Sequence, residues 1–439
     1  MHLNPVLIGR SEDAFHHGRP ISIVPAARRR HLAVFGGSGS GKSTLLRNML
    51  AGDIAADHGV TVVDPHGQLI DEILDNHIPR SRTNDVIYFN PKDRERAFAL
   101  NMLDCRRPGE RGLVVSNVIG IFKKLWVESW GPRMEDILRN GLYVLIEQPT
   151  PVSILALPKL LSDQAYRAHV LTRTQNPAVL DFFHNTFDRW QNSFREEAIS
   201  PVLNKVRAFT TDPLLRAVIG QTRSSFDFRK AMDERKIILC DLSKGAIGAD
   251  NATLLGSLIV MQEKLAALSR SDIPESERVP HLLFAEEAQN FIGDFESILA
   301  ETRKYNLVLA VAAQGIESLT RETAAAIFTN AANLIAFRGS NADAQKFQDE
   351  FMMFPGASIQ DLPDYRAWVR TLVCDDHGCR PAEPEQVATY PPSSKNLGTE
   401  WRSRIERTSN ERYTKPRAAV EVKIRRLLLG GKPKRSDRR

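Results

Sequence analysis

The feature that most constrains this chain of 439 residues is segment 31–49, HLAVFGGSGSGKSTLLRNM. It opens with a short apolar run, residues 32–35, that is typical of a buried strand, and a helical pattern starts at about Lys42. Between the two lies Gly36-x-x-x-x-Gly41-Lys42-Ser43, the pattern of a phosphate-binding P-loop. Glycines let the backbone curl, so that successive N–H groups and the start of the helix face phosphate oxygens. The segment therefore predicts a nucleotide site.

Each position of this loop has an expected role. The ammonium of Lys42 would reach the β and γ phosphates, and the hydroxyl of Ser43 would hold Mg²⁺. ATP and Mg²⁺ are thus the expected cofactors. The expected nucleotide-binding residues are Gly36, Gly37, Ser38, Gly39, Ser40, Gly41, Lys42, Ser43 and Thr44.

A second apolar run, well downstream, ends in two acids. Residues 281–289 read HLLFAEEAQ, which is the Walker B pattern of a strand that carries carboxylates to the γ-phosphate. By their order, Glu286 takes the metal role and Glu287 orients and deprotonates the attacking water. Two adjacent glutamates are usually surface residues, but these follow four apolar residues in a chain with a P-loop.

Three further side chains at strand ends are candidates for the same chemistry. Gln314 ends the predicted strand 307–313, where its amide could sense the γ-phosphate or position water. Arg303 precedes one strand and Arg338 closes another, near what we expect to be the same end of the sheet. Either arginine could neutralise charge on the transferred group or could be a surface ion-pair partner.

The order of predicted elements indicates an α/β fold. Strand-like runs 59–64 and 85–90 alternate with helical patterns and predict a parallel sheet, and the pattern returns at residues 236–242. The first of these runs ends in Asp64-Pro65-His66-Gly67, so that Asp64 could lie at the nucleotide or could simply form a turn. Residues 1–30 predict a strand pair that leads into the first core strand.

Between these α/β stretches, residues 109–230 have helical spacing with prolines between the segments, which predicts an all-helical insertion. We therefore expect an ATPase domain from residues 1–108 and 231–390, a helical domain from 109–230 and a tail from 391–439. The tail has 15 basic and 5 acidic residues, and the remainder of the chain has a net charge of −4. A basic helix is predicted at 418–429, and residues 432–439 look disordered.

Composition excludes several classes of protein. No apolar run approaches the roughly 18 residues that cross a bilayer, and the N-terminus is not of the secretory kind, so the protein is expected to be cytoplasmic with no span of its own. Four cysteines are too few for a disulfide framework. Cys374 and Cys379 with His377 between them fit a hairpin turn better than a metal site, because a fourth ligand is missing nearby.

The ordered motifs GGSGSGKST, VTVVDPHGQL, KIILCDLSKG, FAEEAQN, VLAVAAQG and ANLIAFRG resemble the HerA/FtsK superfamily of P-loop ATPases over roughly residues 5–390. Among its members the chain is most similar to the cytosolic motor of conjugative, TraD-like coupling proteins and type IV secretion ATPases. The resemblance implies a RecA-like sheet and a hexameric ring with ATP between subunits and DNA in the centre. It also implies catalytic roles for Lys42, Glu287 and Gln314, and points to Arg303 rather than Arg338 as the arginine finger.

Two departures from the family pattern bear on function. The first Walker B acid is usually aspartate, whereas this chain has Glu286, and the transmembrane anchor of membrane-bound coupling proteins is missing. The leading hypothesis is a ring ATPase that translocates DNA, with a secretion channel or relaxosome as its protein partner. The alternatives are a HerA-like soluble translocase that works with a nuclease or in defence, and a nucleotide-gated assembly scaffold.

Overall fold

The apolar runs of the sequence form one large sheet. The structure is a computed structural model that describes residues 3–293, 295–351, 358–392 and 399–429. In these ranges the strands are β1 (Val6–Ser11), β2 (Pro20–Ile23), β3 (Leu32–Phe35), β4 (Gly59–Asp64), β5 (Val86–Phe89), β6 (Arg96–Phe98), β7 (Ile237–Asp241), β8 (His281–Glu286), β9 (Leu307–Ala313), β10 (Asn333–Phe337), β11 (Arg366–Arg370), β12 (Leu372–Asp375), β13 (Gly378–Pro381), β14 (Glu385–Thr389) and β15 (Thr414–Pro416).

The helices of the described ranges mostly either alternate with the sheet strands along the chain or lie between residues 111 and 219. They are α1 (Pro25–Arg28), α2 (Lys42–Ala55), α3 (Gln68–Asn76), α4 (Arg111–Leu125), α5 (Pro132–Ile146), α6 (Leu157–Ser162), α7 (Gln164–Leu171), α8 (Pro177–Asp181), α9 (Asn192–Thr211), α10 (Pro213–Ile219), α11 (Phe228–Asp233), α12 (Lys244–Ile247), α13 (Ala249–Leu268), α14 (Phe295–Thr302), α15 (Arg321–Asn330), α16 (Asn341–Phe351), α17 (Thr399–Tyr413) and α18 (Arg417–Leu429).

The main sheet has the order β2-β1-β14-β11-β10-β3-β9-β8-β4-β7-β5. The seven strands from β10 to β5 are parallel, and the four strands at the other edge pair antiparallel. The central parallel strands are buried along their whole length, as expected for a sheet covered on both faces. The α/β class is confirmed, and so is the predicted pairing of two strands before β3.

Strand order decides which side chains meet. The P-loop strand β3 lies beside β9, which lies beside β8, which lies beside β4 and then β7. Phe35 pairs with Ala313, and Glu286 pairs with Ala312. Because these strands are parallel, the P-loop, Glu286 and Gln314 come to the same, carboxyl edge of the sheet.

The chain divides into two compact units. The first, which holds the main sheet, comprises residues 1–89, 228–245 and 262–409, and the second comprises residues 90–227, 246–261 and 410–439. In its described residues, the regular structure of the second unit is helical except for an antiparallel pair that β6 and β15 form. In it α18 buries Val420 and Ile424 against Leu155 and Ala217. The domain limits given above stay a prediction.

Two segments near the C-terminus differ from the expectation. Helix α17 forms where regular apolar spacing is absent, because Ile405 is buried and Arg402 forms ion pairs with Asp71 and Asp75 on α3. Cys374 and Cys379 face each other across the predicted hairpin and form a disulfide. The segment 432–439, which the sequence predicts to be disordered, lies outside the described residues. No helix of the described ranges is long and apolar enough to cross a membrane.

Candidate nucleotide-hydrolysis site

The loop between β3 and α2 has a conformation that requires its glycines. Gly36, Gly39 and Gly41 have φ angles of 151°, 75° and 118°, which are left-handed and favour glycine. A Cβ atom on Gly36 would lie 2.6 Å from the Cβ of Phe337, so this position has no room for a side chain. The backbone N–H of Gly37 donates to the carbonyl of Arg338 at 2.7 Å and ties the loop to the end of β10.

The other polar residues of the loop are placed as a phosphate cradle would need. Ser38 and Gly39 are exposed at its tip, and Ser40 is buried with its hydroxyl donating to the carbonyl of Gly37 at 2.8 Å. Ser43 and Thr44 lie in the first turn of α2. The N–H groups of this first turn are available to an anion, since α2 has no side-chain cap.

Lys42 folds back over the loop. Its Nζ donates to the carbonyls of Gly36 and Gly37, at 2.5 and 2.8 Å. Burial lowers the pKa of Lys42, and the charges of Glu286 and Glu287 oppose that shift. The ammonium thus lies in the concavity of the loop, where phosphate oxygens would replace the two carbonyls as acceptors.

Glu286 ends β8 and reaches the P-loop helix. The hydroxyl of Ser43 donates to its Oε1 at 2.7 Å. Burial, followed by the nearby charge of Asp64, raises the pKa of Glu286, while Ser43, His66 and Lys42 act against the rise. Mg²⁺ takes oxygen ligands and commonly uses one or two protein groups beside phosphates and water. The oxygens of Ser43 and Glu286 suit that ion. Although glutamate is longer than the aspartate usual at this position, its carboxylate still contacts the serine hydroxyl.

Glu287 follows in an unusual backbone conformation, with φ 48° and ψ 45°. Its Oε1 accepts from the amide of Gln314 at 2.9 Å and contacts Nε2 of His66 at 3.1 Å. Its Oε2 accepts from the amide of Asn290 at 2.9 Å and forms an ion pair with Lys244. Burial tends to raise the pKa of Glu287, but the hydrogen bonds and charges of Lys244 and His66 outweigh it and hold the pKa below its ordinary value.

Asp64 does not reach this edge as a free carboxylate. It is fully buried, and its oxygens accept from the backbone N–H groups of His66 at 2.8 Å and Ile70 at 3.2 Å. Burial raises its pKa. Of the two readings left open by the sequence, the geometry favours the turn: Asp64 fixes the connection from β4 to α3.

The two candidate arginines lie at opposite ends of the sheet. Arg338 closes β10 beside the P-loop, and its guanidinium donates to Asp364 at 2.6 Å. Arg303 lies in a 3₁₀ turn just before β9, at the amino end of the parallel strands. The expectation that both lie near the nucleotide end is wrong for Arg303, because the turn from α14 enters β9 from the other side. Arg303 lines a cavity of about 780 Å³ there.

The sheet thus brings together Lys42, Ser43, Glu286, Glu287 and Gln314, and it leaves Arg303 apart. Three residues that contact Glu287 were not expected from the sequence, namely His66, Lys244 and Asn290. A signal was present for two of them, because His66 and Lys244 come two and three residues after the ends of β4 and β7. Strand order was needed to recognise it.

The comparisons with known proteins agree with this fold. The family model of the central domain of the helicase HerA matches residues 19–101. The plasmid coupling protein TrwB, in complex with the non-hydrolysable ATP analogue ADPNP, superposes with a TM-score of 0.57 at 17% identity, over 91% of this chain and 96% of TrwB. TrwB has also been solved with ADP and Mg²⁺, and that structure matches with a TM-score of 0.56 at 16% identity, over 90% and 96% of the two chains.

A second protein gives a similar result. VirB4 of Thermoanaerobacter pseudethanolicus matches with a TM-score of 0.56 at 12% identity, over 88% of this chain and 96% of VirB4. No curated protein sequence matches the chain. The fold and the P-loop together define a P-loop nucleotide-binding protein with the Walker B strand separated from the P-loop strand by β9. More narrowly, the chain has the fold of the HerA/FtsK-type ATPases, and the resemblance inferred from its motifs is confirmed.

Proposed function

We propose that the chain is an Mg²⁺-dependent ATPase whose copies form a hexameric ring that translocates DNA. The observation that carries the proposal is the convergence of Lys42, Ser43, Glu286 and Glu287 at one edge of the sheet. The nucleotide complexes of TrwB support ATP and Mg²⁺ as cofactors, since their fold is that of this chain. Ring assembly and DNA are what the family resemblance implies.

In the proposed reaction each residue has one task. Lys42 binds the β and γ phosphates, and Ser43 and Glu286 hold Mg²⁺, which neutralises phosphate charge. Glu287 accepts the proton of the attacking water, and the amide of Gln314, which already contacts Glu287, orients that water. We expect Lys42→Ala and Glu287→Gln to lower ATP turnover by at least ~100-fold. Lys346→Ala, on the surface of α16, is a matched lysine control.

We further propose that Arg303 acts on the nucleotide of a neighbouring copy. Four cations line the cavity at the amino end of the sheet, Arg29, Arg30, Arg303 and Lys304, and one carboxylate, Glu275, faces them. Within the described ranges none of the four side chains has an ion-pair partner at contact distance. Burial and the like charge of Arg30 lower the pKa of Arg303. Such a group of cations repels itself and would gain from an approaching anion, and a neighbour's triphosphate would be one.

Mixed rings test the role of Arg303. Lys42→Ala and Arg303→Ala are each expected to be inactive alone. In a mixture, some interfaces pair the intact loop of one variant with the intact arginine of the other, so activity should return. Arg321→Ala, at an exposed arginine of α15, should keep full activity in parallel. If the mixture stays inactive, Arg303 does not act across an interface.

The DNA part of the proposal rests on charge. On α18, Lys423, Arg425 and Arg426 are exposed while Ile424 is buried, so one face of the helix is basic. We expect DNA to stimulate the ATPase, with a stimulation that falls steeply with salt and is weakened when these three residues are changed to glutamine. A slow ATPase rate that neither single- nor double-stranded DNA changes would favour a nucleotide-gated scaffold instead.

The match to the HerA central domain also supports a second candidate, a soluble translocase that works with a nuclease. Its chemistry at Glu286 and Glu287 would be the same. A nuclease that co-purifies with the full chain and gains activity only when ATP is hydrolysed would select this candidate over a secretion partner.

A further inference from the structure

The carboxylate of Glu287 has all of its acceptor positions filled. A carboxylate offers about four lone-pair sites, two on each oxygen. Oε1 faces Gln314 Nε2 at 2.9 Å and His66 Nε2 at 3.1 Å, and Oε2 faces Asn290 Nδ2 at 2.9 Å and Lys244 Nζ. Glu287 is also mostly buried, with 13% of its side chain exposed, so that water has little access to it.

A general base must have a free lone pair for the proton that it removes. In ATP hydrolysis the water oxygen bonds to the γ phosphorus, the bond from that phosphorus to the bridging oxygen breaks, and ADP leaves. The proton of the water passes to Glu287. With the His66 proton on Nε2, four donors occupy the carboxylate and block that transfer, so one donor must first leave.

Among the donors to Glu287, Lys244 makes the contact whose loss should most affect proton transfer. Gln314 and Asn290 are neutral donors, whereas the ammonium of Lys244 brings a full positive charge to the carboxylate. Lys244 is 28% exposed, and no other acceptor contacts its Nζ in the described ranges. Its backbone N–H donates to the carbonyl of Pro65 at 2.9 Å, so the base of the side chain is fixed to the turn that carries His66.

We propose that Lys244 is a positioning residue that holds Glu287 in a latent arrangement, so that breaking their ion pair precedes hydrolysis and limits its rate. This inference rests on the proposed ATPase function and adds a regulation of that site. The ion pair is local and reversible, and the long aliphatic stem of lysine lets Nζ withdraw while its backbone stays in place.

The test compares Lys244→Met with Lys244→Arg in the full chain. Methionine keeps the stem and removes the charge, so kcat should rise about fivefold to tenfold, the value of one partly exposed charged contact. KM and the affinity for a fluorescent ATP analogue should stay within about twofold, because Lys244 acts through Glu287 and not on the nucleotide. Arginine restores the charged contact and should return kcat to the wild-type value. An unchanged or lower kcat in Lys244→Met would overturn the inference.

Two further variants separate this effect from others. Asn290→Ala removes the neutral donor from the same oxygen and should raise kcat less than Lys244→Met does. Lys346→Met breaks an exposed lysine–glutamate pair on α16 and should change nothing. If wild-type turnover does not exceed that of Lys42→Ala, the ATPase proposal fails. If it does exceed it and Lys244→Met brings no rise, the latency inference alone fails.

Discussion

Glu263 on α13 should make the stability of the protein fall as pH rises. Glu263, Thr61 and His281 are fully buried, and the Thr61 hydroxyl donates to Glu263 Oε1 at 2.6 Å. Burial raises the pKa of Glu263 from 4.5 to about 7, against the opposing Thr61 hydrogen bond and the charge of Arg270. Burial also lowers the pKa of His281 to about 3, so the imidazole stays neutral beside it at neutral pH.

The direction of this pH dependence follows from comparing the pKa of Glu263 in the folded and unfolded chains. The unfolded carboxyl ionises near pH 4.5, whereas the folded one resists ionisation up to about pH 7. The contribution of the neutral carboxyl is therefore fully present below pH 4.5 and is lost as the pH rises through 7. The difference between the two pKa values corresponds to about 3 kcal/mol of unfolding free energy.

The glutamine of the variant Glu263→Gln cannot ionise. The difference in unfolding free energy between variant and wild type therefore reports the titration of Glu263. We expect that difference to shift by about 3 kcal/mol in favour of the variant between about pH 4.5 and about pH 8. Urea unfolding followed by tryptophan fluorescence at both pH values measures it. The packing cost of the amide is the same at both pH values, and His281 titrates in both proteins. Both contributions therefore cancel when the two differences are compared. Glu301→Gln, an exposed position on α14, is the control.

An equal difference at both pH values would refute the reasoning. It would mean that Glu263 ionises in the folded protein without cost. His281 Nε2, at 3.8 Å, is neutral at these pH values, and no described lysine or arginine lies within ion-pair distance of Glu263. Infrared spectroscopy gives an independent readout, since a protonated carboxyl band present near pH 6 in the wild type should be absent from Glu263→Gln.

Two further predictions concern the unit that holds the main sheet. Asp53→Asn should lower the unfolding free energy by about 3–5 kcal/mol in urea, because it leaves Arg28 charged and unpaired where the pair is now buried at 2.7 Å. Gly41→Ala should weaken binding of a fluorescent ATP analogue at least ~10-fold, since φ is 118° and the new Cβ would lie 3.1 Å from Phe337 and Tyr365. Gly52→Ala, which has open space on α2, should bind normally and be slightly more stable.

The residues that meet at the carboxyl edge of the sheet could be predicted because each belongs to a local pattern. Lys42 and Ser43 stand in a motif of fixed spacing, and Glu286, Glu287 and Gln314 end apolar runs of strand length. Parallel strands bring their carboxyl ends to one edge, so five separate predictions converged on one site. The α/β class followed from the same runs.

The partners of Glu287 could not be predicted, because chain order does not give sheet order. His66 and Lys244 precede Glu287 by about 220 and 40 residues, and only the order β8-β4-β7 brings them together. Helix α17 was missed for a related reason. Its sequence has few apolar residues, and its position depends on Arg402 and Ile405 meeting distant parts of the chain.

Strand β9 connects the two parts of the proposed mechanism. It carries Gln314 after its carboxyl end, against Glu287, and Arg303 lies before its amino end. Seven residues of extended backbone separate these ends by about 20 Å, so Arg303 cannot reach the phosphates held by its own P-loop. If Arg303 acts on a nucleotide, as proposed above, that nucleotide must belong to another copy. Since β9 is buried along its whole length and pairs on both sides, a displacement at one end would be carried to the other. Under the proposed trans action of Arg303, the hydrolysis site of one copy and the arginine offered to its neighbour would then move together.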